Sequence, residues 1–181
     1  MTFQETSLPG VWIVDSDVFP DDRGTFVRAW IPDEFSARGL ETGIAQCSLS
    51  SNHRRGTIRG MHYQAPPFEE VKVIRAVRGT VFDVAVDLRP GSPTFCRWVG
   101  VELSAANRRL LYIPQGFAHG YQTLSDDTEL LYFVSAPYVP EHQRGVRWND
   151  PALAIDWPLG SPSVIHERDA TYPDFDATAR R

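Results

Sequence analysis

Turn signals break the middle of this chain too often for a long helix to fit between them: RG at 78–79, RPGSP at 89–93, PQG at 114–116, SDD at 125–127 and PEHQRG at 140–145. The intervening runs VKVIRAV, TVFDVAVDL, RLLYI and ELLYFVSAPYV are short and rich in β-branched and aromatic residues, so they read as strands. Many short strands without helices between them predict an all-β fold, a sandwich or jelly-roll barrel, and such barrels can enclose a ligand cavity. Short helices fit only at the periphery. The best of them is PDEFSARG, where Asp33 and Glu34 occupy the first turn and Gly39 can end it. The stretch from Val139 onward, rich in Pro, Asp, Trp and Arg, is expected to wrap the barrel. The 181 residues suit one domain covering 1–181.

Charge narrows the partners. A formal net charge of -5 argues against nucleic acid and anionic membranes, which demand a basic excess. Yet Arg54, Arg55, Arg59, Lys72, Arg75 and Arg78 face only Glu69 and Glu70 within their stretch, a local positive strip suited to a small anionic ligand or simply to a solvated face. Cys47 and Cys96 are too few for a disulfide framework. No apolar run approaches the roughly 20 residues that cross a bilayer, and the N-terminus lacks a leader pattern, so a reduced, cytoplasmic setting is expected.

Lys72 is the only lysine beside 17 arginines. A compact ammonium can meet a single developing oxyanion where a wide guanidinium is misplaced, although a surface lysine is the plain alternative. Alternation along a strand puts Lys72, Ile74 and Ala76 on one face and Val73, Arg75 and Val77 on the other, so one of the two charges faces inward unless the strand is at an edge.

Two histidines sit in motif-like surroundings. GTIRGMHYQ and PQGFAHGYQT resemble the two cupin motifs, but Gln64 stands where metal cupins place a second histidine, and Glu69 and Glu70 miss the expected offset. His62 and His119 alone make a poor divalent-metal site, so no metal is expected. A histidine in a metal-free cavity can be a general base, its ordinary pKa of about 6.5 lying near working pH. Asp83, Asp87 and Asp169 are its candidate orienting acids. Tyr132 and Tyr138 share a face if their strand is regular that far, and either phenol can donate a proton.

The run of DDRGTF, QCSLSSNHRRGTIRGMHYQ, EEVKVIRAVRGTVFDVAVDLRPGSPTF, YIPQGFAHGYQTL, YFVSAPYVPEHQRGVRWNDPALAIDWP and ERDATYP, in that order over nearly the whole chain, closely resembles the dTDP-4-dehydrorhamnose 3,5-epimerase family. The resemblance implies a metal-free, cofactor-free cupin-like jelly roll, usually a homodimer, that acts on a nucleoside-diphosphate 4-keto-6-deoxysugar in deoxysugar biosynthesis. The ketone acidifies the hydrogens on carbons 3 and 5, a base removes one, and a proton returns from the opposite face of the enolate. By resemblance His62 is the base, Asp169 its dyad partner, Lys72 the enolate stabiliser and Tyr132 the acid. Arg59 and His119 meet the diphosphate and sugar, Arg23 reaches into the neighbouring subunit's site, and Phe26, Gln46, Ser48 and Tyr138 complete the substrate contacts.

The chain departs from the family pattern at two places. It has Gln46, Cys47, Ser48, Leu49, Ser50 where the family often shows Gln-x-Asn-x-Ser, and Arg28 where a glutamate is common. Thymidine, cytidine and guanosine diphosphate sugars all stay open, as does inversion at one carbon or both. A sugar-nucleotide binding protein without catalysis and a metal-dependent cupin are the competing readings.

Overall fold

Gly79 turns the chain from one sheet into the other. In a computed structural model, which describes residues 1–177, it takes φ +70°, and a Cβ there would lie 2.6 Å from the side chains of Ser125 and Thr128. Only glycine meets both demands. The strand before it, Lys72–Arg78, and the strand after it, Thr80–Asp87, belong to opposite layers of a jelly roll.

The strands in chain order are β1 (Thr2–Glu5), β2 (Trp12–Asp15), β3 (Val18–Asp21), β4 (Gly24–Val27), β5 (Gln46–Asn52), β6 (Thr57–Gln64), β7 (Lys72–Arg78), β8 (Thr80–Asp87), β9 (Trp98–Ser104), β10 (Leu110–Ile113), β11 (Phe117–Thr123), β12 (Thr128–Val134), β13 (Gln143–Gly145) and β14 (Val164–Ile165). Two short α-helices, α1 (Pro32–Ser36) and α2 (Glu167–Ala170), and a 3-10 turn at Pro140–His142 accompany them among the described residues. The first sheet runs β1-β2-β10-β7-β12-β5, and the second runs β13-β6-β11-β8-β9 with β14 parallel to β6. Strands β3 and β4 form a separate hairpin.

Alternation decides what fills the space between the layers. Ile74, Ala76, Leu111, Ile113 and Leu130 from the first sheet meet Val81, Ala85, Val101, Leu103 and Phe117 from the second. Each of the Val, Leu, Ile and Phe side chains contributes roughly 1.5–3 kcal/mol on burial. The opposite face of the second sheet is also apolar, with Ile58, Met61, Val84 and Val86 under Leu153, Ile155 and Trp157 of the C-terminal stretch. That stretch does wrap the barrel. On the outer face of the first sheet, Val73, Leu110 and Tyr112 pack against Phe35 of α1, the helix expected within PDEFSARG.

One local expectation needs revision. β12 ends at Val134, so Tyr138 lies beyond it and strand parity does not relate it to Tyr132. Proline is the reason: Pro137 and Pro140 lack the N–H a ladder needs. In addition, β11 carries His119 and Gly120 within FAHGYQT, and its seven buried residues were hidden by that mixed composition. No helix of the described residues is long and apolar enough to cross a membrane.

Candidate active site

At one end of the space between the layers, polar side chains replace the apolar ones around a cavity of about 240 Å³. Strand β5 contributes Gln46 and Ser48, β6 contributes His62 and Gln64, β7 contributes Lys72 and β12 contributes Tyr132; Tyr138 and Gln143 come from the segment that follows. The histidine thus stands on one sheet, and the ammonium and phenol on the other.

A bulge in β6 sets the histidine. His62 pairs with His119 and Arg59 with Tyr121, so three steps on β6 oppose two on β11. The extra residue puts Arg59 and His62 on one face of β6, opposite Ile58 and Met61. Gly60 occupies the bulge with φ +121°, and a Cβ there would fall 2.5 Å from the Gly120 Cα. Its N–H donates to Asp169 Oδ2 at 3.1 Å, while Asp169 Oδ1 lies 2.8 Å from His62 Nε2. Burial by itself would push the Asp169 carboxyl up, but His62, the Gly60 amide and Arg168 together hold it below the ordinary carboxylate value. Asp169 sits in α2, whose first turn is capped by the His166 ring accepting from the Arg168 amide. Of the three candidate acids, Asp169 is the one beside His62.

The other two acids serve elsewhere. Asp83 pairs with His119, Oδ1 to Nε2 at 2.8 Å, and its Oδ2 has no hydrogen-bond partner among the described residues. Burial pushes this carboxyl up against the opposing pull of His119. Asp87 binds Arg89, Ser92 and Thr94 and touches no histidine.

Lys72 is the inward charge of β7, on the face of Ile74 and Ala76, and forms an ion pair with Glu70. Arg75 is on the outer face, also buried, and its Nε has no hydrogen-bond partner among the described residues. Desolvation, assisted by Arg108, lowers the pKa of that guanidinium. The Tyr132 phenol is pushed well above its ordinary value, first by burial and then by Tyr121 and Asp83. It stays protonated, as a proton donor must.

The remaining predicted residues divide. Arg59 is exposed, its Nε donating to Asn52 Oδ1 at 2.8 Å, and His119 is buried behind the cavity wall. Arg23 and Phe26 lie on the β3–β4 hairpin and do not line their own chain's cavity; Arg23 pairs with Asp21 at 2.6 Å, and Phe26 is 63% exposed. Arg28 stacks its guanidinium 5.3 Å from the Phe19 ring centroid. Sequence reading missed Glu70, Tyr63 and Gln143 as lining residues. Glu70 could have been found, being two residues before Lys72, but nothing in the pattern marks Gln143. No cluster of three or more His, Cys, Asp or Glu side chains among the described residues could hold a metal ion.

A histidine held by a carboxylate, opposite an ammonium and a protonated phenol, can remove a proton, steady an oxyanion and return a proton. The model of the dTDP-4-dehydrorhamnose 3,5-epimerase family matches residues 5–177. The chain belongs to that family. It is an isomerase-class enzyme of deoxysugar biosynthesis with the family's cupin-like jelly roll. It is 43% identical over 175 residues to the dTDP-4-dehydrorhamnose 3,5-epimerase of Sinorhizobium fredii, covering 97% of this chain and 90% of the relative. The Bacillus anthracis epimerase, solved with TDP and PPi bound, superposes with a TM-score of 0.92 at 38% identity, covering 96% of this chain and 99% of the other. A Legionella pneumophila epimerase in complex with dTDP-4-keto-L-rhamnose gives 0.88 at 37% identity, with coverages of 93% and 89%. A 3'-monoepimerase of Streptomyces bikiniensis in complex with dTDP-quinovose gives 0.87 at 34% identity, with coverages of 93% and 85%.

Proposed function

We propose that this epimerase inverts both C3 and C5 of a dTDP-4-keto-6-deoxyhexose, with His62 as base and Tyr132 as acid. The observation that carries the proposal is the His62–Asp169 pair on one cavity wall opposite Lys72 and Tyr132 on the other. His62 takes the proton on the carbon beside the ketone. Asp169 orients the ring and stabilises the imidazolium that forms. The Lys72 ammonium meets the growing negative charge on the C4 oxygen, an interaction stronger in the enolate than in the ketone. Tyr132 then delivers a proton from the opposite wall, which inverts the centre. Gln46, Ser48 and Tyr138 hold the sugar nucleotide, and Arg59 and His119 support its sugar and diphosphate.

The working enzyme in this proposal is a cytoplasmic homodimer of single-domain chains. Arg23 and Phe26 then reach from the β3–β4 hairpin to the partner's cavity. The outer face of the first sheet supports the pairing, since Leu49 is 59% exposed there and Arg75 has an unmet donor.

Proton NMR of dTDP-4-keto-6-deoxyglucose incubated with the protein in deuterium oxide tests this directly. Loss of the C3 and C5 proton signals together is the expected result. Loss of one signal replaces the double epimerase with a single-carbon enzyme. Retention of both, also with the cytidine and guanosine analogues, overturns catalysis in favour of binding alone.

A further inference from the structure

Lys72 does not stand loose in the cavity. We infer that Glu70 is a positioning residue of the reaction, whose carboxylate fixes the Lys72 ammonium where the enolate oxygen develops; the inference rests on the function proposed above. Both carboxylate oxygens are committed: Oε1 accepts from Lys72 Nζ, and Oε2 accepts from Gln64 Nε2 at 3.0 Å. The side chains of Lys72 and Glu70 are only 12% and 11% exposed.

Gln64 anchors the pair. Its Nε2, with two hydrogens shared among three acceptors, also lies 2.9 Å from the Phe68 carbonyl and 3.1 Å from the Pro137 carbonyl, and its Oε1 accepts from the Val139 amide at 2.7 Å. The amide therefore binds Glu70 to the segment that brings Tyr138 into the cavity. At the place where metal cupins put a ligand, this chain has a side chain that organises its own cation.

The chemistry needs such an anchor. Lysine has a long flexible stem, and an ammonium free to swing must be ordered at the moment of reaction, whereas one already held acts without reorganisation. The titratable groups around Lys72 are His62, Tyr63, Glu70, Tyr132 and Tyr138. Glu70 is the only carboxylate lining the cavity among the described residues, Asp169 being engaged by His62.

The test pairs Glu70→Ala with Glu70→Gln, which keeps an acceptor for Lys72. In Glu70→Ala, kcat for deuterium incorporation is expected to fall about 10²-fold with KM nearly unchanged, the cost of a misplaced catalytic group. Glu70→Gln is expected to recover most of that loss. In a Lys72→Met background, Glu70→Ala should cost nothing more, because an effect transmitted through Lys72 disappears with it. An unchanged kcat in Glu70→Ala, or an equal loss in the Lys72→Met background, overturns the inference.

A second readout does not depend on turnover. Lys72 is the sole lysine, so ¹⁵N-lysine labelling gives one side-chain ammonium signal. That signal should shift and broaden in Glu70→Ala and return towards its wild-type position in Glu70→Gln. An unaltered signal in Glu70→Ala overturns the positioning role whatever the activity. Absence of carbon exchange in the wild type, with the signal behaving as expected, overturns the proposed function and leaves the anchor standing.

Discussion

His62 Nε2 and Asp169 Oδ1 stand 2.8 Å apart although 107 residues separate them in the chain. The pairing needs two independent local structures, a bulge that turns His62 inward and a short helix that delivers Asp169. A second oxygen of the same carboxylate takes the Gly60 amide, so the acid is fixed to the bulge it serves.

Replacing Asp169 with Asn keeps the shape of the side chain and removes its charge. Turnover is expected to drop by ~10²–10⁴-fold, the usual scale of a general-base contribution, because the imidazolium loses its counter-charge. Deuterium incorporation rates of the variant measure this. A loss smaller than about threefold would remove Asp169 from the mechanism.

Lys72→Arg keeps a positive charge but widens it and changes its reach. The expected result is a fall in kcat of at least ~10-fold with an unfolding midpoint close to wild type. Steady-state kinetics beside thermal denaturation separates the two effects. An enzyme with unaltered turnover would show that any cation suffices.

Gly60→Ala should be among the most damaging single-methyl changes in the chain. The new Cβ would meet the Gly120 Cα at 2.5 Å and the His119 carbonyl oxygen at 2.8 Å, at a backbone angle alanine rarely takes. A loss of about 3 kcal/mol or more is expected from steric and backbone strain together. Urea unfolding measures it, and a variant as stable as wild type would contradict the described bulge.

Asp87 gives a pH dependence. Burial by itself would raise its pKa, but Arg89, Ser92 and Thr94 overcome that and hold it at about 2. Because the folded value lies below the unfolded one, its contribution of about 2 kcal/mol is complete above ~pH 5 and disappears as the pH falls through about 2. Asp87→Asn should therefore be less stable than wild type at pH 7 and should lose less stability on acidification. Equal slopes of stability against pH would refute the assignment.

Leu49→Arg places a charge on the exposed outer face of β5, on the same face as Arg75. It should shift sedimentation from about twice the chain mass of 20.4 kDa towards the single chain. A wild type that sediments as the single chain would refute the proposed dimer.

Sequence was a good guide where one periodicity dominated. VKVIRAV and TVFDVAVDL became β7 and β8 almost to the residue, since β-branched side chains fill both faces of each strand. It was a poor guide where prolines and tertiary contacts decide. The end of β12 before Tyr138 depends on prolines that a run of aromatic residues obscured. His62, Lys72 and Tyr132 were legible as candidates one by one, but only the family resemblance put them at one substrate, because they come from two different sheets and no local spacing joins them. The choice of Asp169 over Asp83 and Asp87 rested on resemblance alone, as no spacing rule spans so long a separation.

Asp169, the acid paired with His62, is supplied by α2, which follows the strands of the described residues in the chain. The residues that make the two sheets and most of the cavity wall therefore precede Asp169 in the chain. A chain clipped between Trp157 and Glu167 would retain Lys72, Tyr132 and His62 but leave the imidazole without its counter-charge. The His62–Asp169 pair, on which the proposed catalysis rests, thus depends on the docking of a segment that follows the sheets in the chain.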